Sequence, residues 1–306
     1  MKRLRILLTG ASGQVGQALA QRLYGEELFT PTRSELNLED SAAILRYVDR
    51  TRPDLIINPA AYTAVDQAES EPEVAIAINA VAPRVLARAA RHHGIGLIHF
   101  STDYVFDGMQ TEPYREDDLT APLNVYGRSK RDGEIAVLEE CDAAWILRTS
   151  WVYSAHGRNF LNTILQLAQQ RRQLSIVADQ WGAPTWARTI ADVVARMLGD
   201  DDRMMLHSRM QHTRGVYHLS SRGATNWQQY ACRIVEAMPA MGLQAQLSPA
   251  EVAPISSAAY PTPAQRPSNS RLYTDKLTRV FGITLPDWDQ ALDECLREMK
   301  QEMGQD

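Results

Sequence analysis

Short apolar runs and amphipathic stretches take turns along the first half of the chain. LRILLTG (4–10) reads as a strand, GQVGQALAQRL (13–23) as a helix, ELFTPT (27–32) as a strand, SAAILRYVDRT (41–51) as a helix and DLIINPAA (54–61) as a strand. The alternation continues with a helical stretch from roughly Glu71 to His93, the strand GLIHFST (96–102), a helix within LNVYGRSKRDGEIAVLE (123–139) and the strand AAWILRTSWVY (143–153). Apolar runs this short, separated by helices, read as right-handed βαβ units. The pattern predicts an α/β fold with a doubly wound parallel sheet covered on both faces.

Beyond about residue 155 the rhythm loosens. Helices are predicted at 159–172 and 188–199, and strands at LSIVAD (174–179) and GVYHLSS (215–221). The Pro- and Ser-rich stretch from Pro249 to Ser270 shows no element and reads as a long loop, more often functional than idle in a compact domain. A last helix from about Asp287 aligns Ala291, Leu292, Cys295, Leu296 and Met299 in one stripe.

Composition narrows the class. With 306 residues the chain has room for two domains and needs no metal or disulfide staple. A net charge of −5 and a pI near 5.8 give no positive field for nucleic acid or anionic lipid, so a small-molecule partner is expected. No apolar run approaches the roughly 18 residues of a membrane span, and Met1-Lys2-Arg3 leads into a strand rather than a signal peptide; the expected location is cytoplasmic. Cys141, Cys232 and Cys295 lie far apart and read as apolar packing, not as a disulfide or zinc framework. His92 and His93, beside Gly94, suit the negative pole of a helix end.

Four features carry chemistry. Gly10-Ala-Ser12-Gly13-Gln14-Val15-Gly16 follows a strand and opens a helix, the context in which a glycine loop cradles a dinucleotide pyrophosphate against a helix N-terminus. Near the end of the second strand, where an NAD site would place a carboxylate, the chain has Thr30-Pro-Thr-Arg33-Ser34; an arginine there suits a 2′-phosphate and favours NADPH, with NADH as the alternative. Tyr126 and Lys130, spaced i, i+4, project from one helix face, where an ammonium counters the roughly 4 kcal/mol that separates a phenol from proton exchange near neutrality. Thr102 ends its strand at the carboxyl edge of the sheet, where doubly wound folds bind ligands.

The set resembles the extended short-chain dehydrogenase/reductase family, in which a Ser/Thr, a Tyr and a Lys form the catalytic group. Within it, DLIINPAAYTAVDQAESEPE, STDYVFDG, PLNVYGRSK, RTSWVY, DQWGAPT and YPTPAQRPSNSRL are similar to signature stretches of the dTDP-4-dehydrorhamnose reductase family, over nearly the whole chain. The resemblance implies a Rossmann domain over 1–155, rejoined by elements at about 174–200, and a smaller substrate-binding lobe over most of 156–306. It also implies NAD(P)H-dependent reduction of the 4-keto group of a dTDP-6-deoxy sugar, the last step of dTDP-rhamnose synthesis for cell-surface polysaccharide.

In that reading Tyr126 supplies the proton, Thr102 aligns the carbonyl, and Lys130 lowers the tyrosine pKa while holding the nicotinamide ribose. Besides the glycine loop and Arg33, the cofactor is lined by Asn37, Leu38, Ala60, Ala61, Tyr62, Thr63 and Phe100. Asp103, Tyr104 and Trp151 meet the sugar; charge and loop position, rather than the resemblance, point to Asn159 and Arg266 for the dTDP diphosphate. Some family members carry magnesium bridging a dimer through a carboxylate on the helix after GAPT; here that helix begins Trp186-Ala-Arg188-Thr189, so Mg2+ is weakly supported and monomer and homodimer both stay open. Two other readings share the landmarks: a reductase or epimerase of another nucleotide sugar, separable only through the substrate lobe, and a non-catalytic nucleotide-binding subunit, against which the intact Thr102, Tyr126 and Lys130 count.

Overall fold

The computed structural model describes residues 3–303. Its centre is a six-stranded parallel sheet containing β1 (Arg5–Leu8), β2 (Glu27–Phe29), β3 (Leu55–Asn58), β4 (Gly96–Thr102) and β5 (Ala144–Thr149). The strand Gly215–His218 closes the β5 edge, giving the order Gly215–His218, β5, β4, β3, β1, β2. Strands β3, β4 and β5 are buried along their whole length, so they carry apolar side chains on both faces instead of alternating. One apolar cluster packs Ile6, Leu8, Ile57, Ile98, Trp145 and Leu147 beneath Ile190, Val194 and Met197 of the helix Ala187–Leu198, which lies against the helix Gln14–Arg22. On the opposite face Leu7, Ile56, Leu97 and Ile146 meet Ile44, Val48, Leu86 and Ala90.

The helix expected from Glu71 to His93 exists with a defect in its middle. Helical turns Pro72–Ile76 and Ala82–His93 are joined by a π turn at Ala77–Val81. Pro83 explains it: lacking an N–H, it cannot bond the carbonyl of Asn79, and its ring crowds that carbonyl. The freed Asn79 carbonyl faces Gly133, where a Cβ would overlap it.

A second apolar cluster, with Tyr153, Leu161, Trp186, Tyr230, Ile234, Ala291, Leu292 and Cys295, is built mainly from the helices Phe160–Gln170, Trp227–Ala237 and Trp288–Met303. The stretch expected to be an unstructured loop, Pro249 to Ser270, differs from that reading. It contains a strand, Val252–Ile255, paired in parallel with Leu174–Val177. Pro254 hides it in the sequence, yet a strand of a two-stranded ribbon tolerates a missing donor. The helices Arg203–His212 and Trp227–Ala237 also went unread; the first, RMMLHSRMQH, has polar residues on every side and no apolar stripe to reveal it. No helix among the described residues is long and apolar enough to cross a membrane.

Candidate active site

Thr9, Asn58 and Thr102 end or directly follow β1, β3 and β4, and the polar positions of the chain gather at this carboxyl edge of the sheet. Between β1 and the first helix, Gly10 has φ +59° and lies so close to Ala60 that a Cβ would overlap its backbone. A Cβ on Gly16 would overlap the Gly10 carbonyl. Gly13 is different: it caps the helix Gln14–Arg22 without any side-chain hydrogen bond, and a Cβ there meets nothing nearer than 3.4 Å. The first-turn amides therefore have no capping side chain, which fits a pyrophosphate at the dipole's positive end.

Tyr126 and Lys130 ride on the helix Val125–Glu140. Its cap, Asn124, accepts from the Gly127 amide at 2.8 Å and donates to the Gln265 carbonyl at 2.8 Å, tying the helix start to the Pro-rich segment. Gly127 lets that start press on the Tyr104 backbone, where a Cβ would overlap the carbonyl. The contact sets Tyr126 beside the end of β4: its ring meets Tyr104 edge-on at 5.7 Å, and its hydroxyl lies near Thr102, whose own hydroxyl donates to Asp103 Oδ1 at 3.1 Å.

The pKa values of this group follow from burial. Tyr126 is pushed up to about 12, chiefly by desolvation, with the neighbouring Thr102 hydroxyl opposing and Asp103 adding to the rise. Asp103, 2% exposed, rises to about 6 by desolvation, its rise reduced by the neighbouring Ser270 and Thr102 hydroxyls, of which Thr102 donates to Oδ1 at 3.1 Å. Its Oδ2 is buried and has no hydrogen-bond partner among the described residues. Lys130 falls to about 8 through desolvation, partly offset by Glu134.

Lys130 was expected to pull the phenol pKa down. In the structure its Nζ instead donates to the Phe100 carbonyl at 2.6 Å and lies 3.5 Å from His99 Nε2, so burial prevails at Tyr126. The phenol is consequently protonated at neutral pH, the state required of a proton donor.

Other expected residues surround this centre at varying range. Ala60 and Ala61 follow β3 with Tyr62 and Thr63; the Tyr62 amide donates to Asn79 Oδ1 at 2.8 Å, and Asn79 Nδ2 donates to the Tyr62 carbonyl and to Ser129, both at 3.0 Å. Arg33 is exposed after β2 and pairs with Glu39 at 2.6 Å, while Asn37 Oδ1 accepts from the Glu39 amide and Leu38 packs partly into the core. Trp151 takes φ +47°, unusual for a bulky residue, and stacks on Trp227 at 3.6 Å. Arg266 grips Asp66 with two nitrogens and lies beside Tyr104. Asn159 caps the helix Phe160–Gln170 and donates to Gln14 Oε1 at 3.0 Å, placing it beside the glycine loop. Where a bridging Mg2+ would need a carboxylate stands Arg188, itself ion-paired with Glu298; a guanidinium cannot ligate the metal, so this position does not fit it.

Sequence reasoning missed Asn58, Asp66, Asn79, His99, Ser129 and Trp227. For Asn58, His99, Asn79 and Ser129 the signal is a polar residue in an otherwise apolar strand, as in LIIN and LIHF, or inside a helical stretch; Asp66 and Trp227 carry none.

A family model described as "RmlD substrate binding domain" matches residues 4–301. The chain belongs to the dTDP-4-dehydrorhamnose reductase family. A dTDP-4-dehydrorhamnose reductase of Burkholderia thailandensis is 45% identical over 297 residues, covering 97% of this chain and 99% of its own. Another from Salmonella typhimurium is 41% identical, covering 97% and 98%. Among solved structures of the family, the Bacillus anthracis dTDP-4-dehydrorhamnose reductase in complex with NADP superposes with a TM-score of 0.85 at 32% identity, covering 97% of this chain and 99% of that one.

Proposed function

We infer that the protein reduces the 4-keto group of dTDP-4-dehydro-6-deoxy-L-mannose to the hydroxyl of dTDP-L-rhamnose, using NADPH. The observation that carries the reading is the meeting of Thr102, Tyr126 and Lys130 at the carboxyl edge of the sheet, in a chain of this family. NADPH bound over the glycine loop supplies the hydride for the carbonyl carbon. Thr102 holds the carbonyl oxygen, and Tyr126, protonated at neutral pH, delivers its proton to that oxygen as negative charge develops. Lys130, anchored on the Phe100 carbonyl, holds the nicotinamide ribose and steadies the phenolate left after proton transfer.

Gly10, Ser12, Gly13, Gln14, Val15 and Gly16 receive the pyrophosphate, and Arg33 the 2′-phosphate. The buried Asp103 carboxyl and the Tyr104 hydroxyl face the sugar, Trp151 gives it an apolar wall, and Arg266 serves the diphosphate side. In this reading residues up to about 155, with the later helix Ala187–Leu198, form the dinucleotide-binding domain and most of the remainder the substrate lobe. The test is NADPH oxidation with the dTDP-linked 4-keto sugar beside its UDP- and GDP-linked counterparts. Turnover that favours the dTDP sugar is expected. Faster turnover of another nucleotide sugar contradicts the substrate, and no turnover with any of them points to a non-catalytic nucleotide-binding role.

A further inference from the structure

We propose that His99 is a positioning residue for Lys130, the inner link of a buried hydrogen-bonded row that fixes where the lysine head sits and which of its protons remains for ligand. The row crosses three adjacent strands at one level. Thr9 Oγ1 donates to Asn58 Oδ1 at 2.5 Å, Asn58 Nδ2 lies 3.0 Å from His99 Nδ1, and His99 Nε2 lies 3.5 Å from Lys130 Nζ. Asn58 and His99 are direct partners in the β3–β4 register, and Thr9 follows Leu8, the partner of Ile57. Thr9, Asn58, His99 and Lys130 are each 2% exposed or less. Four polar side chains placed here among apolar strands cost stability unless they satisfy one another, and a row of this kind orders its members in one geometry.

An ammonium has three protons. The Phe100 carbonyl takes one and His99 Nε2 is placed to take the second, which leaves the third for the open side of the site. Burial and the adjacent Lys130 keep His99 neutral, so it carries one ring proton. Accepting from the ammonium at Nε2 puts that proton on Nδ1, and Asn58 must then turn its amide oxygen toward the ring and its nitrogen toward Thr9. With Lys130 as a neutral amine the opposite arrangement holds, the one in which, as in the structure, Asn58 Oδ1 accepts from Thr9 and Nδ2 faces the ring: the proton sits on Nε2, and Asn58 donates to Nδ1. The two arrangements differ by one imidazole tautomer and one amide flip, so the row registers the charge of Lys130. The other charged or titratable groups near the lysine are Tyr126 and Glu134 on its own helix, and Glu134 is held by Arg148 of β5 at 2.7 Å.

The activity arm of the test rests on the reductase reading; the spectroscopic arm does not. His99→Phe removes the acceptor, and His99→Gln restores one at the Nε2 position. Expected for the Phe variant is a fall in kcat of roughly tenfold or more with a smaller change in KM, and an alkaline limb of the pH profile moved to lower pH, because the ammonium has lost a partner. The Gln variant recovers most of both. In the cofactor-free wild type, nitrogen NMR of the imidazole should show a neutral ring from about pH 6 to 9, with resonances that move as Lys130 titrates and stay still in Lys130→Met. A folded Phe variant with wild-type kcat and pH profile overturns the proposal. So does a loss of kcat with an unmoved profile that Gln does not restore, or a ring that protonates near its ordinary pKa. If the Phe variant does not fold, the Gln variant and the NMR of the wild type decide. A wild type inert toward the keto sugar overturns the reductase reading and leaves the NMR arm to judge His99.

Discussion

Arg266 and Asp66, 200 residues apart in sequence, form a two-pronged ion pair at 3.1 and 2.8 Å. Asp66 also accepts from the Ala264 amide at 3.1 Å, so one carboxylate holds the Pro-rich segment onto the short helix Val65–Ala68. Charge-assisted bonds of this kind contribute about 1.5–3 kcal/mol, which corresponds to roughly tenfold or more in binding. Arg266→Met and Asp66→Ala are therefore both expected to raise KM for the sugar nucleotide about tenfold while leaving NADPH affinity within about twofold. Steady-state kinetics of the two variants checks this. A normal Asp66→Ala beside an impaired Arg266→Met means that the arginine acts alone.

The glycine loop allows a sharper comparison. A methyl on Gly16 overlaps the Gly10 carbonyl, whereas one on Gly13 meets only open space and a contact at 3.4 Å. Gly16→Ala should lower the melting temperature in the absence of ligand. Gly13→Ala should leave it nearly unchanged and weaken NADPH binding by about tenfold or more, because the added methyl stands where the pyrophosphate approaches. Thermal melts and cofactor titration separate the two.

The first half of this fold was legible because its central strands are apolar runs and helices such as Ser41–Thr51 and Ala82–His93 carry an apolar stripe; the bounds of Ser41–Thr51 are those its pattern predicts. Legibility ended where one rule masks another. Pro254 conceals a strand that Leu174–Val177 pairs, and Pro83 puts a π turn into a helix whose periodicity looks continuous. For the candidate site, spacing brought out Tyr126 and Lys130 beside the glycine loop, and its place at a strand end brought out Thr102. The row behind them was not legible, since Asn58 and His99 come from separate strands and acquire meaning only through register. Nor did spacing reveal that the Lys130 ammonium bonds the Phe100 carbonyl and that burial governs the phenol.

Arg33 is exposed after β2, with Glu39 as its partner. A 2′-phosphate recruits the guanidinium in place of that carboxylate, while a 2′-hydroxyl gains little from it. For Arg33→Ala a loss of roughly tenfold in NADPH affinity with little change for NADH is expected. Equal losses for both cofactors mean that the arginine does not read the phosphate.

Asp103 gives the stability a sign opposite to that of most carboxylates. Its folded pKa, about 6, lies above its ordinary value of 3.8, so the folded state holds its proton more tightly than the unfolded one. Stability from this residue is full below the ordinary value, declines as pH rises through the folded pKa and stays low above it, a difference of roughly 3 kcal/mol. Asp103→Asn, which cannot ionise, should raise the melting temperature at about pH 7.5 and have little effect at about pH 4. A uniform shift at both pH values contradicts the assignment of burial as the cause.

The central claim is that the Tyr126 hydroxyl gives the proton. Tyr126→Phe removes one oxygen and little volume, so the direct measurement is kcat with the dTDP-linked keto sugar alongside the dissociation constant for NADPH in the same variant. The account predicts NADPH binding within about twofold of wild type and turnover reduced about 10²- to 10⁴-fold. Turnover near the wild-type value contradicts it.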